Sequence, residues 1–256
     1  MLGKLFIIGT PIGNLEDITL RAIRVLGEVD FVLSEDTRVT GKLLQKYNIQ
    51  KSLISYNAHS TENKSKKIIE LLEEGKNLAL VSDAGTPGIS DPGCLIVKEV
   101  REYFKDKGGM DPVVDFGIRE SDSLSAKRDA KIHYGVEIIA IPGPSALVSA
   151  LSVSGFPASD FLFLGFLPHK KGRETLFKEI SESKRTAVFY ESPHRIMKTL
   201  EWLSKNLSPE RKIAVARELT KIYEETFVGT AKEVLEYFSK NPEKIRGEFV
   251  VVAEGC

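Results

Sequence analysis

The first half of the chain alternates short apolar runs with longer amphipathic stretches. The apolar runs are Leu5–Ile8, Phe31–Leu33, Leu78–Val81 and Ile138–Ile141. Continuous apolar runs of this length are typical of strands that are buried on both faces of a parallel sheet. The amphipathic stretches predict helices at about residues 18–27, 39–47, 61–74 and 92–104. This alternation predicts βαβ units, with helices on both faces of a parallel sheet.

The pattern changes after Pro142-Gly143-Pro144, where a helix of small residues is predicted before a turn at Gly155-Phe156-Pro157. Strands follow at Phe161–Phe166, Thr186–Tyr190, Lys212–Ala216, Glu224–Val228 and Phe249–Ala253. Helices are predicted near residues 173–183, 193–206 and 230–239. The third and fourth of these strands are close enough for a hairpin, so this sheet is expected to be mixed. We therefore predict an N-terminal α/β domain over residues 1–150 and a C-terminal mixed α/β domain over residues 151–256.

Residues 105–134 show scattered charges and no clear hydrophobic period. Loops longer than about 12–15 residues are uncommon in compact domains and are usually functional or mobile. A solvated insertion, which a chain tolerates at low entropic cost, is the interpretation that we favour.

The composition narrows the class of protein. The chain has 256 residues, of which 42% are hydrophobic, and its 36 basic residues balance 36 acidic ones. This balance excludes a strongly basic nucleic-acid binder but allows a local basic patch. Two cysteines make no disulfide framework, and the sequence contains no His/Cys cluster with metal-ligand spacing. With no signal-peptide pattern and no apolar run long enough for a membrane span, we expect a cytoplasmic protein without a metal.

Three loops rich in glycine and proline follow predicted strands of the first sheet. They are Gly9–Asn14, Ser82–Gly93 and Pro142–Ala146. Parallel strands end at a common sheet edge, where α/β proteins bind ligands and where glycine allows a close backbone approach. The first loop alone is explained about as well by a plain turn, whereas the second is unusually elaborate for a loop that only turns the chain. The three loops together favour a binding crevice.

Several polar motifs remain open to two interpretations. Glu35-Asp36-Thr37-Arg38 is either a capped helix start with a local ion pair or a chemically active turn. Basic residues at 168–173 and 194–195 each stand where a strand gives way to a helix. They are either solvated surface or phosphate contacts to RNA. His59 is interpreted as a surface residue.

Five motifs resemble those of the small-subunit ribosomal RNA methyltransferases, which belong to the tetrapyrrole methylase superfamily. The motifs are Leu5–Asn14, Ser34–Arg38, Val81–Pro87, Ile141–Ala146 and Phe189–Arg195. The resemblance covers nearly the whole chain and continues into Ala216–Thr220 and Arg246–Phe249. It implies a two-domain tetrapyrrole-methylase-like fold, with S-adenosyl-L-methionine held in the cleft between domains, and usually a homodimer. The implied activity is 2′-O-methylation of a cytidine ribose in small-subunit (16S) ribosomal RNA, free or in the ribosomal subunit.

The resemblance also implies site residues, one position at a time. The implied cofactor-binding residues are Pro11, Asp83, Thr86, Ile89, Ser145, Ala146, Tyr190 and Leu219. The expected RNA contacts come instead from the basic residues at the strand-to-helix junctions, and they are Lys170, Lys171, Arg173, Arg195 and Arg38.

A general base would help a ribose hydroxyl to act as the nucleophile. The candidate bases are Glu35, Asp36, His59, Glu191 and His194, among which we favour Glu191. Two other functions stay open: C-methylation of a tetrapyrrole (corrinoid or porphyrin), and a non-catalytic RNA-associated scaffold. The Glu-Asp-Thr-Arg turn and the Glu-Ser-Pro-His-Arg segment argue against the first, and the intact strand-end loops argue against the second.

Overall fold

A computed structural model of the protein describes residues 1–56, 62–107 and 135–256. It divides into two compact units. The first comprises Met1–Pro11 and Leu15–Pro144, and the second comprises Ile12–Asn14 and Ser145–Cys256. Each unit contains its own five-stranded sheet, one parallel and one mixed. The predicted two-domain α/β fold class is confirmed.

The first unit is built on a parallel sheet with the strand order β3-β2-β4-β1-β5. Its strands are β1 (Lys4–Ile8), β2 (Phe31–Ser34), β3 (Ser52–Ser55), β4 (Leu78–Val81) and β5 (Glu137–Ile141). Four of these strands were predicted from apolar runs. The edge strand β3 was missed, because its sequence Ser-Leu-Ile-Ser has a polar residue at each end and no continuous apolar run.

Helices cover both faces of this sheet, as predicted. They are α1 (Leu20–Glu28), α2 (Thr37–Lys46), α3 (Glu62–Glu73) and α4 (Gly93–Asp106). Buried side chains of α1 and α2 form one apolar cluster with alternate strand residues, and those of α3 and α4 form another. Because α4 continues to Asp106, the predicted insertion begins as helix. Its residues 108–134 lie outside the described part of the chain.

The second unit contains a mixed sheet with the order β6-β7-β10-β8-β9. Its strands are β6 (Phe161–Phe166), β7 (Thr186–Glu191), β8 (Lys212–Arg217), β9 (Glu225–Thr230) and β10 (Phe249–Ala253). Strands β6 and β7 are parallel, and the other neighbouring pairs are antiparallel. The predicted hairpin is confirmed as the β8–β9 pair.

Four helices complete the second unit: α5 (Ala146–Ser154), α6 (Arg173–Glu182), α7 (Ile196–Asn206) and α8 (Ala231–Lys240). Helices α6, α7 and α8 bury their apolar residues with Phe189 and Val251 of the sheet. Helix α5 belongs to a different cluster, with Val188 and Val250. Since Phe189 alternates with Val188 and Val250 with Val251, the two clusters lie on opposite faces.

Candidate active site

The three glycine and proline loops follow β1, β4 and β5, which are neighbours in the sheet of the first unit. The Gly9 N–H donates to the Ile141 carbonyl at 3.1 Å. A Cβ atom on Gly9 would lie only 2.7 Å from the Gly143 Cα, and one on Gly143 would lie 2.7 Å from the Gly9 carbonyl oxygen. The first and third loops therefore touch along their backbones, at a place where only glycine fits on either side.

Thr10 joins the first loop to the loop after β4. It exchanges backbone hydrogen bonds with Gly85 at 2.9 and 3.0 Å, and its buried hydroxyl donates to the Ser82 carbonyl at 3.1 Å. In turn, the Thr86 hydroxyl donates to the Pro144 carbonyl at 3.2 Å. The prediction that the three loops share one sheet edge is confirmed, and they form one hydrogen-bonded assembly.

Asp83 connects this assembly to the end of β2. One oxygen of its carboxylate accepts the Asp36 N–H at 2.9 Å. Asp36 caps α2 by accepting the Arg38 N–H at 2.8 Å, and it also pairs with the exposed Arg38 guanidinium at 2.6 Å. Hydrogen bonds from Arg38 lower the pKa of Asp36 to about 2. The capped helix start and its local ion pair are thus present, and the Asp36 carboxylate is a weak proton acceptor.

Glu35 has a different environment from its neighbour. Its side chain is half-buried, and burial raises its pKa, with smaller contributions from the negative charges of Asp83 and Asp91. The Asp91 carboxylate itself accepts the N–H groups of Gly88 and Gly93 at 2.8 and 2.7 Å. A carboxylate whose pKa is raised above its ordinary value is better suited to accept a proton near neutral pH. Glu35 has this property at the edge that carries Asp83.

In the second unit, three of the residues that were predicted to bind a cofactor belong to one apolar cluster. Ala146, Tyr190 and Leu219 share it with Ile12 and Leu147. Burial raises the pKa of Tyr190, and its hydroxyl accepts the Leu147 N–H. Ser145 precedes α5 in an extended conformation and makes no side-chain cap. Its hydroxyl therefore does not have the usual role of capping this helix.

Glu191 is buried at the end of β7, and its side chain has 0% exposure. One oxygen accepts the Ser192 N–H at 2.9 Å and pairs with Arg195 Nη2 at 2.7 Å. The other accepts Arg173 Nη2 at 3.0 Å and the Thr199 hydroxyl at 2.7 Å. Four donors therefore saturate a carboxylate that solvent does not reach. This geometry favours a structural role for Glu191 over the role of general base.

The two arginines of this network also hold the loop that follows β6. Arg173 Nη1 donates to the Pro168 carbonyl at 3.1 Å, and Arg195 Nη1 donates to the Leu167 carbonyl at 2.7 Å. Their side chains are only 14% and 16% exposed. Guanidinium groups with several protein partners are less available to phosphates, so this geometry favours Arg173 and Arg195 as supports for the loop.

Other basic side chains at the same edge are exposed. Lys170 and Lys171 lie in the loop after β6, and His194 lies in the loop after β7. Strands β6 and β7 are parallel neighbours, so both loops leave the sheet at one edge. At this edge, Lys170, Lys171 and His194 are therefore exposed basic side chains, whereas the two arginines are mostly buried.

The remaining sequence predictions concern His59, a metal site and a membrane-spanning helix. His59 lies outside the described residues. Within residues 1–56, 62–107 and 135–256, no group of three or more His, Cys, Asp or Glu side chains could hold a metal ion. In the same ranges, no helix has the length and apolar character to cross a membrane.

Sequence reasoning did not identify Thr10 or Thr199, although both hydroxyls take part in these networks. Thr10 lies inside the loop Gly9–Asn14, and this position in a predicted ligand-binding loop could have identified it. Thr199 lies on α7 and contacts a residue that is eight positions earlier. No local pattern marks such a contact.

Comparison with known families places the chain beside a group of methylases. The family model described as Tetrapyrrole (Corrin/Porphyrin) Methylases matches residues 4–106 and 121–235. The chain is 44% identical over 255 residues to Ribosomal RNA small subunit methyltransferase I of Thermotoga maritima, covering 99% of both chains. It is 42% identical to the protein of the same name from Bacillus subtilis, covering 99% of this chain and 76% of that protein.

Solved structures resemble the chain over almost its whole length. The methyltransferase CobJ matches with a TM-score of 0.64 at 18% identity, covering 99% of this chain and 95% of CobJ. The uroporphyrin-III C-methyltransferase of Thermus thermophilus, in complex with S-adenosyl homocysteine, matches with a TM-score of 0.59 at 16% identity. That match covers 98% of this chain and 97% of the other. At such identities the resemblance shows a shared fold.

Proposed function

Because the chain belongs to the tetrapyrrole methylase family, and within it to the group of ribosomal RNA small subunit methyltransferase I, we propose that it is an S-adenosyl-L-methionine-dependent ribosomal RNA methyltransferase. The reaction is 2′-O-methylation of a cytidine ribose in 16S ribosomal RNA. The observation that carries the proposal is the 44% identity to the Thermotoga maritima relative, which extends over 99% of both chains.

The residues at the sheet edge of the first unit suit a nucleoside cofactor. Because Gly9 and Gly143 have no Cβ, the loops after β1 and β5 approach each other backbone to backbone at this edge, beside the loop that carries Asp83. Asp83 is exposed beside this loop assembly, and a carboxylate there can accept from a hydroxyl or an ammonium group. Pro11, Asp83, Thr86 and Ile89 are the proposed cofactor contacts of this unit.

In the second unit, the proposed cofactor contacts are Ser145, Ala146, Tyr190 and Leu219. Ala146, Tyr190 and Leu219 already belong to one apolar cluster, which suits a ligand with a flat aromatic base. The Ser145 hydroxyl makes no helix cap, so no cap would have to be broken for it to donate to a ligand.

When bound, S-adenosyl-L-methionine supplies a methyl group that its sulfonium activates for in-line displacement. The ribose 2′-oxygen would displace the sulfur from this carbon, and the electron pair of the carbon–sulfur bond would leave on sulfur. The hydroxyl proton passes to a base. The chain's task is to hold the oxygen about 3–3.5 Å from the methyl carbon and to accept this proton.

We propose Glu35 as the base. It is half-buried beside Asp83, and its pKa is raised mainly by burial. Proton transfer to a positioned base contributes about 10²–10⁴-fold to rate. His194, which is exposed in the loop after β7, is the second candidate. Glu191 is the least suited of the three, because four protein donors occupy its oxygens.

For the RNA, we propose contacts from Lys170, Lys171 and Arg38, whose charged groups are exposed. Arg173 and Arg195 support the loop that carries the two lysines and contribute positive potential. With few phosphates neutralised, the salt dependence of RNA binding is expected to be modest. We further propose a cytoplasmic location and a homodimer, with residues 1–150 and 151–256 as the two functional domains.

One assay tests the proposed function. Radiolabelled methyl transfer is measured with isolated small ribosomal subunits, free small-subunit ribosomal RNA and a tetrapyrrole as separate acceptors. Label on the ribose of either RNA substrate supports the proposal, and nucleoside analysis of the product identifies the methylated position. Label on the tetrapyrrole alone would make the chain a C-methylase. Label on no acceptor would favour a non-catalytic scaffold.

A further inference from the structure

The loop between β8 and β9, residues 218–224, contains two residues in the left-handed region of backbone conformation. Glu218 has a φ of 51° and Thr220 has a φ of 67°. Neither is a glycine, and the β-branched threonine is especially disfavoured in this region. The described part of the chain has four non-glycine residues with positive φ, and two of them fall within these three positions. Such strain persists only where surrounding contacts enforce it, and it is concentrated at functional sites.

Contacts with the segment that precedes β10 enforce the conformation of Glu218. The Glu218 N–H donates to the Glu248 carbonyl at 3.0 Å, and the Glu218 carboxylate accepts the Glu248 N–H at 3.0 Å. The same carboxylate oxygen accepts Lys221 Nζ at 2.8 Å. A Cβ atom on Gly247 would lie 2.3 Å from the Glu218 Cδ. Gly247 therefore leaves the space that this carboxylate occupies.

Contacts with Gly13 and Asn14, which belong to the second unit, enforce the conformation of Thr220. Its hydroxyl accepts the Asn14 N–H at 3.1 Å, and its own N–H donates to the Glu224 carboxylate at 2.7 Å. A Cβ atom on Gly13 would lie 2.9 Å from Thr220 Oγ1 and 2.5 Å from Lys221 Cγ. The backbone of Gly13 and Asn14 therefore packs directly against Thr220 and Lys221.

Leu219 lies between the two strained residues. Its side chain is 7% exposed and belongs to the apolar cluster that contains Ile12, Ala146 and Tyr190. The left-handed turns on either side fix the direction of the Leu219 main chain and keep its side chain in this cluster.

We infer that Glu218 and Thr220 are positioning residues for the cofactor, a deepening that rests on the proposed function. Glu218 acts through Leu219, and Thr220 acts through Gly13 and Asn14. Together they hold these two segments in the one arrangement that receives the adenosine part of the ligand. The positive φ values of Glu218 and Thr220 cost conformational free energy. The hydrogen bonds of the two residues offset this cost.

The test uses Thr220→Val and Thr220→Ser in the full chain. Valine keeps the β-branched shape but removes the acceptor of the Asn14 N–H, whereas serine retains a hydroxyl. Binding of S-adenosylhomocysteine is measured by titration calorimetry, alongside the thermal unfolding midpoint. We expect about tenfold weaker binding for Thr220→Val, the effect of one lost hydrogen bond, and near-normal binding for Thr220→Ser.

A second pair of variants tests Glu218. Glu218→Ala removes the carboxylate that holds the loop, and Glu248→Gln is the matched control, because the Glu248 carboxylate also pairs with Lys221 but is 76% exposed. In steady-state methyl transfer, we expect Glu218→Ala to raise the KM for the cofactor about tenfold and to leave the KM for RNA unchanged. The control is expected to change neither value.

The outcomes separate the two levels of inference. Failure of the unaltered protein to bind S-adenosylhomocysteine would overturn the proposed function. Normal binding by the unaltered protein and by Thr220→Val would overturn the positioning role alone. If Glu218→Ala does not fold, the Thr220 pair decides. A parallel rise of both KM values with a lower unfolding midpoint would show that the loop has only a structural role.

Discussion

Arg173 Nη2 lies 3.0 Å from a carboxylate oxygen of Glu191, whose side chain has no exposed surface. Arg195 occupies the other oxygen of the same carboxylate at 2.7 Å. One buried negative charge is therefore enclosed by two guanidinium groups, which also bind the carbonyls of Leu167 and Pro168. Because these carbonyls begin the loop that carries Lys170 and Lys171, the buried charge network fixes an exposed basic segment.

Replacing Glu191 by alanine should destabilise the protein strongly. Two guanidinium groups would lose their shared partner in a buried site, a change that typically costs about 3–5 kcal/mol. Urea unfolding of the second unit, followed by the fluorescence of Trp202, measures the effect. Glu182→Gln is the control, because its ion pair with Lys178 is exposed, and we expect a change of less than about 0.5 kcal/mol there. Undiminished stability together with lost methyl transfer would instead identify Glu191 as the base.

Glu35→Gln should reduce methyl transfer and yet stabilise the protein at neutral pH. Burial raises the pKa of Glu35 in the folded protein above 4.5, the pKa that it has in the unfolded chain. The folded protein therefore binds this proton more tightly than the unfolded chain does. As the pH rises above that value, ionised Glu35 therefore lowers the stability of the unaltered protein. Glutamine does not ionise, so the variant escapes this loss.

The measurement is the thermal unfolding midpoint of both proteins across the pH range. The variant's relative advantage should grow between about pH 4 and pH 7. Glu28→Gln is a control, since that carboxylate is exposed on α1 and pairs with Arg24. A constant difference across this range would contradict the assignment. A normal rate for Glu35→Gln would exclude it as the base and leave His194.

Lys170→Ala combined with Lys171→Ala should weaken RNA binding without affecting folding. Both side chains are exposed, so their removal loses phosphate contacts and little packing. Each phosphate contact to a single strand contributes about 0.7 to the slope of log affinity against log salt, so the slope should fall by about 1.4. Binding is measured by filter retention over a range of salt. Lys66→Ala with Lys98→Ala removes the same charge from exposed positions on α3 and α4, and an equal loss there would show that only net charge matters.

The sequence predicted most of the fold because the central strands are short apolar runs between turn residues. β1 is apolar after Lys4 and is followed by a glycine loop, and β4 is apolar throughout and is followed by a serine-aspartate loop. The three loops could be placed together because parallel neighbours end at one edge. The edge strand β3 could not be predicted, since its burial is partial and its ends are serines.

The networks around the site were harder to predict than the loops. The partners of Glu191 lie up to 18 residues before it and 8 residues after it, so only the folded chain shows that its charge is enclosed. Likewise, Glu218 and Thr220 adopt positive φ values without being glycine, and their contacts with Glu248 and Asn14 are distant in sequence. Local patterns carry no information about such pairs.

Gly9→Ala should weaken cofactor binding, whereas the same substitution at Gly41 should stabilise the protein and leave binding unchanged. A Cβ atom at Gly9 would lie 2.7 Å from the Gly143 backbone, which has no flexible side chain that could move away. The first and third loops would have to separate, so we expect at least tenfold weaker binding of S-adenosylhomocysteine, equivalent to about 1.4 kcal/mol.

At Gly41, inside α2, a Cβ atom would meet nothing within 4 Å. Alanine there should stabilise the helix by about 0.5–1 kcal/mol and leave binding unchanged. Calorimetric titration and urea unfolding of both variants give the comparison. Equal binding by the two would show that the contact between the loops is not needed to hold the cofactor.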